Sequence, residues 1–391
     1  MSRPSLFCVA CLALSIAGCV AFNPSVVQPS AYLGHKDNPI TLYGQTVQGG
    51  VLLLFDVTFP TMDALMLFGF EDDPSYREIE LQIMREGAEV LPRVVLYRQD
   101  GGADIYMRPN PPLWLQQMGR TDTVLNRRRF LQTEIDYHFA VAADGLRADL
   151  MLKTTDGVSV SFHVNEHSQN RIRTNLIAPI GADTKEPTFL PLFYIQDLDL
   201  VPRARADLWV SIGDQRRAPA PLTRLVKGPT SYLVRYSTHP LIGRWNERKA
   251  VALAPVSVAA GQGTVRDGQL EYQLLWNGNH PEIAAFTAHH DQDALLFRFV
   301  PALPDLMSLN QGAVVEGRFA LDANADKGVL AGEYRVQRGP LGVHLRLHPT
   351  KVFQPPVIAG GPWVATYDWD ANFTPGADGT VTLEAGWSRR K

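Results

Sequence analysis

Between Phe130 and His167 apolar residues recur at every second position, interrupted only by Asp144-Gly145 and by Asp156-Gly157. A period of two is the pattern of a strand with one buried face, and no helix can bury it on one side. Asp-Gly is a strong two-residue hairpin signal. Placed at 144–145 it sets Val141 opposite Ala148 and Phe139 opposite Leu150. A second two-residue turn at Asp156-Gly157 would put Leu150 and Leu152 on the face of Ser161 and His163. A three-residue loop, Thr155-Asp156-Gly157 with glycine in the left-handed bulge position, removes that conflict. Ile135, Tyr137, Phe139, Leu150, Leu152, Val158, Val160, Phe162 and Val164 then share one face. The other face collects Glu134, Asp136, His138, Asp149, Lys153, Ser159, Ser161, His163 and Asn165. A slip of one residue would scramble both sets, so the pattern specifies an antiparallel meander with one wet side.

The same period runs through the rest of the chain. Strands are expected at 40–47, 51–59, 65–70, 78–84, 93–97, 130–141, 146–154, 158–165 and 207–212. Helical periodicity is weak, and 111–118 and 304–309 are the candidates for short helices. The 28 prolines and 31 glycines agree with many short elements. A hairpin over 313–337 pairs Leu321 with Leu330, Arg318 with Glu333 and Glu316 with Arg335, and on its other face Val315 with Val336 and Gly317 with Tyr334. Opposite charges outside and apolar groups inside make that register consistent on both faces. A third hairpin joins 363–369 to 381–387 across Pro375-Gly376-Ala377-Asp378-Gly379. The expected fold is mostly β, antiparallel sandwich or barrel-like domains with few short helices. The connector 216–229 and the Ala/Val/Gly-rich stretch 246–263 suggest two domains, 40–245 and 246–391.

The N-terminus reads MSRPSLFCVACLALSIAGC. Arg3 precedes an apolar run, 5–17, too short for a stable spanning helix. Ile16-Ala17-Gly18-Cys19 resembles the lipobox of bacterial lipoprotein signal peptides. The resemblance covers residues 1–19. It implies removal of 1–18, acylation of Cys19, a lipidated tether over 19–39 and attachment to a membrane. Val20 stands where an inner-membrane retention signal would place Asp, so the resemblance implies the outer membrane where the host has two. The other cysteines, Cys8 and Cys11, would leave with the signal, so the mature chain could form no internal disulfide.

The remaining motifs give candidate chemistry. Asp149 opposite His163, with Ser161 two residues away on the same face, is the residue set of nucleophilic hydrolases. It is equally the set of a solvent-exposed ion pair, and no G-x-S-x-G elbow is present. His163 and His167, like His344 and His348, have a zinc-chelating spacing only on a helix; on a strand they lie roughly 13 Å apart. His289, His290, Asp291 and Asp293 cluster at an expected hairpin tip. Asp322, Asn324 and Asp326, with Glu333 twelfth, nearly match a calcium loop, but Lys327 takes the glycine position. Asp197 and Asp199 share a strand face about 7 Å apart, a carboxylate pairing that can serve glycoside hydrolysis. Trp363, Tyr367 and Trp369 share one parity, as a sugar platform or as core. Arg127-Arg128-Arg129 is a local basic knot. Gly243-Arg-Trp245 is similar to the G-x-W opening of lipocalins, whose later motifs are not evident, and implies only a ligand-holding C-terminal barrel.

A net charge of −3 does not fit a general nucleic-acid binder. Together these features point to an envelope lipoprotein that binds a small apolar or glycan ligand, a lipid or a partner protein without catalysis, and without a cofactor unless calcium occupies the 322–326 loop. The alternative is an envelope hydrolase acting on glycans or esters.

Overall fold

The computed structural model describes residues 33–44, 50–59, 61–100, 102–110, 128–167, 172–179, 186, 189–220, 232–291, 293–323, 330–352, 367–376 and 379–390. Within them the chain is mostly β, as the two-residue period requires. Its strands form sheets of five, eleven and ten strands and a two-stranded ribbon. Neighbours pair antiparallel except Ala103–Met107 beside Arg128–Gln132, which run parallel. Among the described residues two single turns of 3-10 helix, Ile40–Leu42 and Arg203–Arg205, interrupt the strands.

The meander that anchors the sequence argument forms the centre of the five-stranded sheet. Its second turn is the three-residue loop: Thr154 pairs with Val158 through the backbone, and Gly157 takes φ 80°. Its first turn differs from expectation. Ala142 pairs with Gly145, so Ala143 and Asp144 form the turn and Phe139 faces Ala148 rather than Leu150. The offset is two residues, an even number, so every side chain keeps its expected face. Gly145 is needed in the strand because a Cβ there would collide with Glu166. The buried face packs on the eleven-stranded sheet, with Phe162 edge-on to Phe68 at 5.2 Å, and the two sheets share one apolar core as a sandwich. Glu166, almost fully buried, ties them together by accepting from the Leu146 amide and the Tyr236 hydroxyl.

The ten-stranded sheet runs from Thr264 to Arg389, with Lys249–Leu253 added beside its last strand. The ring of Phe55 touches Phe286 at 4.7 Å, Phe299 at 5.5 Å and Trp369 at 5.8 Å. Phe286 and Trp369 stand on strands five places apart, roughly 24 Å in a flat sheet. The sheet therefore curls round its own inner face, barrel-fashion. The pairings of Leu321 with Leu330, Arg318 with Glu333, Glu316 with Arg335, Val315 with Val336 and Gly317 with Tyr334 are all present. The last hairpin pairs Pro375 with Val381, so its strand continues six residues beyond Trp369.

What fills this sheet comes from far away in the sequence. Tyr43, Val51, Leu52, Leu54, Phe55 and Val57 join its core, as does Trp245. The expected strand over 51–59 shrinks to the short pieces Gly50–Val51 and Val57–Thr58. Side chains of the ten-stranded region take over the hydrogen bonding there: Lys249 donates to the Leu54 carbonyl, Tyr272 to Phe55 and Gln269 to Val57. Of the expected strand over 40–47, residues 40–43 are instead the 3-10 turn followed by a single bridge from Tyr43 to Leu309, and 45–47 lie outside the described residues. The expected helix over 304–309 is a turn, in which the Asp305 carbonyl accepts from the Ser308 amide and its carboxylate from the Ser308 hydroxyl. The other expected helix, 111–118, lies outside the described residues.

Candidate functional site

On the wet face of the five-stranded sheet Asp149 sits opposite His163, and its carboxylate meets Nδ1 at 2.6 Å. Trp209 flanks the imidazole on the other side, its ring 6.0 Å away. Ser161 lies two residues along the strand, between Met151 and Ser211. The row is open: half of the Asp149 side chain is exposed, and Met151 beside Ser161 is exposed too. These side chains lie side by side on a sheet surface rather than in a cleft. His167 pairs with Asp207 at 2.9 Å, apart from His163.

The other candidates separate similarly. Asp199 is buried opposite Tyr236 and Arg173, while the side chain of Asp197 lies outside the described residues. Asp322 accepts from Arg298 at 2.9 Å; Asn324, Asp326 and Lys327 lie outside the described residues. His290 pairs with Asp293 across the hairpin and packs against Phe59, and no group of three metal-binding side chains occurs among the described residues. Tyr367 and Trp369 are core residues, and Trp363 lies outside the description, as do Arg127 and the signal with Cys8, Cys11 and Cys19. Of the basic knot, Arg129 grips buried Asp104, which also accepts from Arg98 and Tyr76. Trp245 of the G-x-W tripeptide is fully buried against Phe297, Phe319 and Trp387.

The outer face of the ten-stranded sheet brings together residues that sequence reading placed only in pairs. One row crosses four strands: Glu316 faces Arg335, Arg335 faces Arg346, and Arg346 faces Asp370. Arg335 donates through Nη1 to Glu316, and Arg346 through Nε to Asp370 at 2.8 Å. A second row sets Arg318 opposite Glu333 and Glu333 opposite His348, whose Nδ1 meets Asp368 at 2.6 Å. Burial pushes the Asp370 carboxyl upward, but His344 and Arg346 outweigh it and hold it below the ordinary carboxylate range.

A strap crosses this face. Residues 33–39, which the sequence reading gives to the tether, lie on the sheet. Leu33 packs on Ala320 and Ala331, and Lys36 donates to the Glu316 carbonyl at 3.2 Å. Strap and sheet enclose an open groove of about 690 Å³ whose charged lining includes Lys36, Arg318, Arg335, Arg346, Glu316 and Glu333. Farther along, the strap is fastened by a buried cluster. Glu282 accepts from the Tyr43 hydroxyl, from Asn38 at 3.1 Å and from Asn277 at 3.0 Å. Burial raises the Glu282 carboxyl above its ordinary value, and those three hydrogen bonds oppose the rise without cancelling it. Beside it His280 meets Asp305 at 3.2 Å.

No family model, curated protein or solved structure matches the chain. What can be said of its function therefore rests on its own residues.

Sequence reasoning missed the groove because its two walls are nearly 280 positions apart. The Glu316–Arg335 pairing was readable, but that Arg346 stands opposite Arg335 is set by the 339–342 connection between Arg338 and Val343, which carries no two-residue turn signal. The Glu282 cluster gave no motif at all.

Proposed function

We propose that the chain is a bacterial envelope lipoprotein, acylated at Cys19 and held on the outer membrane where two membranes exist, whose β body is a non-enzymatic binding module. The groove between the strap and the outer face of the ten-stranded sheet is the binding site. The observation that carries this reading is the convergence of Lys36 from the strap with Arg318, Arg335 and Arg346 from three strands on one concavity. The inner face of the same sheet argues for an outside site. It is packed with Phe55, Phe286, Phe297, Trp369 and Trp387 in the place where a lipocalin-like cup would hold its ligand.

The lipobox supports the anchor. Two or three acyl chains bind a membrane far more firmly than one. A hydrolase built on Asp149, His163 and Ser161 is the second reading, favoured by the short Asp149–His163 contact alone.

Growth of the native host with an alkyne-tagged palmitate tests the anchor. The chain is expected to take up the label and fractionate with membranes, and the Cys19→Ser variant to do neither. An unlabelled chain with 1–18 still attached overturns it. Turnover of an ester or glycan by the purified chain, abolished in His163→Ala, would replace the binding reading with the hydrolase.

A further inference from the structure

The groove sets two arginines side by side, each held by one carboxylate of the sheet. Arg335 and Arg346 are direct cross-strand partners, and like charges so placed repel. Both side chains are half exposed. Each engages one carboxylate, Arg335 through Nη1 and Arg346 through Nε, out of five N–H donors per guanidinium. Arg318 stands diagonal to Arg335, and Lys36 approaches from the strap side. Glu316 and Glu333 in the lining and Asp370 beside Arg346 set three carboxylates against Lys36, Arg318, Arg335 and Arg346, so the formal charges still sum to net positive with histidine neutral.

Resting on the reading of this groove as the binding site, we infer that its ligand carries a phosphate group. A planar carboxylate satisfies one guanidinium fork. A phosphate offers acceptor oxygens in several directions and can meet two forks from the sheet and an ammonium from the strap at once. The strap is also the described part of the body nearest in sequence to Cys19. Leu33 follows it by fourteen residues, a reach of at most about 50 Å. Both a lipid headgroup and a soluble phosphate ester carry the required chemistry.

The experiment titrates the full chain, in zwitterionic detergent, with four probes by calorimetry: inorganic phosphate, glycerol 1-phosphate, dihexanoyl phosphatidic acid and glutarate. The phosphate probes are expected to bind, to weaken with added salt, and to weaken by at least about tenfold in the Arg335→Gln/Arg346→Gln double variant. Glu316→Gln, which removes a competing carboxylate, is expected to tighten them. Binding of the lipid probe alone assigns the group to a headgroup; equal binding of all three phosphates assigns it to a soluble ester. If glutarate binds as tightly as the phosphates and is lost in the double variant, the site stands and the phosphate assignment falls. If no phosphate probe binds, or binding survives in a double variant with unchanged circular dichroism, the inference is overturned while the acyl-labelling result is untouched.

Discussion

The ring of Tyr43 lies on that of His280, 4.1 Å between centroids and 18° from parallel, while its hydroxyl donates to buried Glu282. The strap is thus fastened through a carboxyl group whose ionisation burial disfavours. Such a group binds its proton more tightly folded than unfolded. Its contribution is fully present below the ordinary value of 4.5 and is lost as pH rises through the higher folded value. Urea unfolding of the wild type and of Glu282→Gln should show the variant gaining on the wild type across that rise, by at most about 1.4 kcal/mol per pH unit. A constant difference at all pH values would contradict the buried-acid account.

Asp104 gives the opposite sign. Burial pushes its carboxyl upward, but hydrogen bonds from Arg129, Tyr76 and Arg98 outweigh it and hold it below the ordinary range. Its contribution is present above the ordinary carboxylate value and disappears as pH falls through the lowered one. Asp104→Asn should cost about 2–3 kcal/mol at neutral pH, discounted because Arg129 is half exposed and can rehydrate. The penalty should shrink in acid, as denaturation at two pH values would show.

Phe55→Ala removes the ring that joins opposite strands of the curled sheet. A buried phenylalanine lost to alanine typically costs about 3–5 kcal/mol. A calorimetric loss below about 1 kcal/mol would mean the segment does not hold the core together.

Gly332→Ala should destabilise by about 1–3 kcal/mol, because its Cβ would run into the His348 carbonyl and the Phe319 ring. Gly339→Ala, whose new atom meets only the Gly342 carbonyl at 3.8 Å, is the matched control and should be close to neutral. Equal melting temperatures for the pair would refute the packing argument.

His163→Ala should change stability by less than about 1 kcal/mol, since its partner Asp149 is exposed and such pairs contribute little. A larger loss, seen in urea unfolding, would reveal a role that the open surface does not suggest.

Local alternation was legible wherever a strand pairs with its sequence neighbour. Val160 facing Leu152 and Arg318 facing Glu333 follow from polarity and turn chemistry alone. The first turn falls one residue before Asp144-Gly145, shifting the pairing by two, because the local Asp-Gly signal carries no trace of the clash a Cβ at 145 would make with Glu166 on the next strand. Residues 51–57 alternate like a strand, but their partners are side chains at 249, 269 and 272, which no periodicity announces. The groove and the Glu282 cluster share that origin. Each is closed by a residue between 33 and 43, from the opposite end of the chain.

The packing of Tyr43 and residues 51–57 into a sheet whose last strand ends at Arg389 sets an order of events. The first part of the body to be made must wait, unsatisfied, until almost the whole chain has been made, and contacts at such separation form slowly. A chain truncated near residue 245 would carry Val51, Leu54 and Phe55 with nothing to enclose them. Halves expressed apart should therefore prove sticky, and only together soluble.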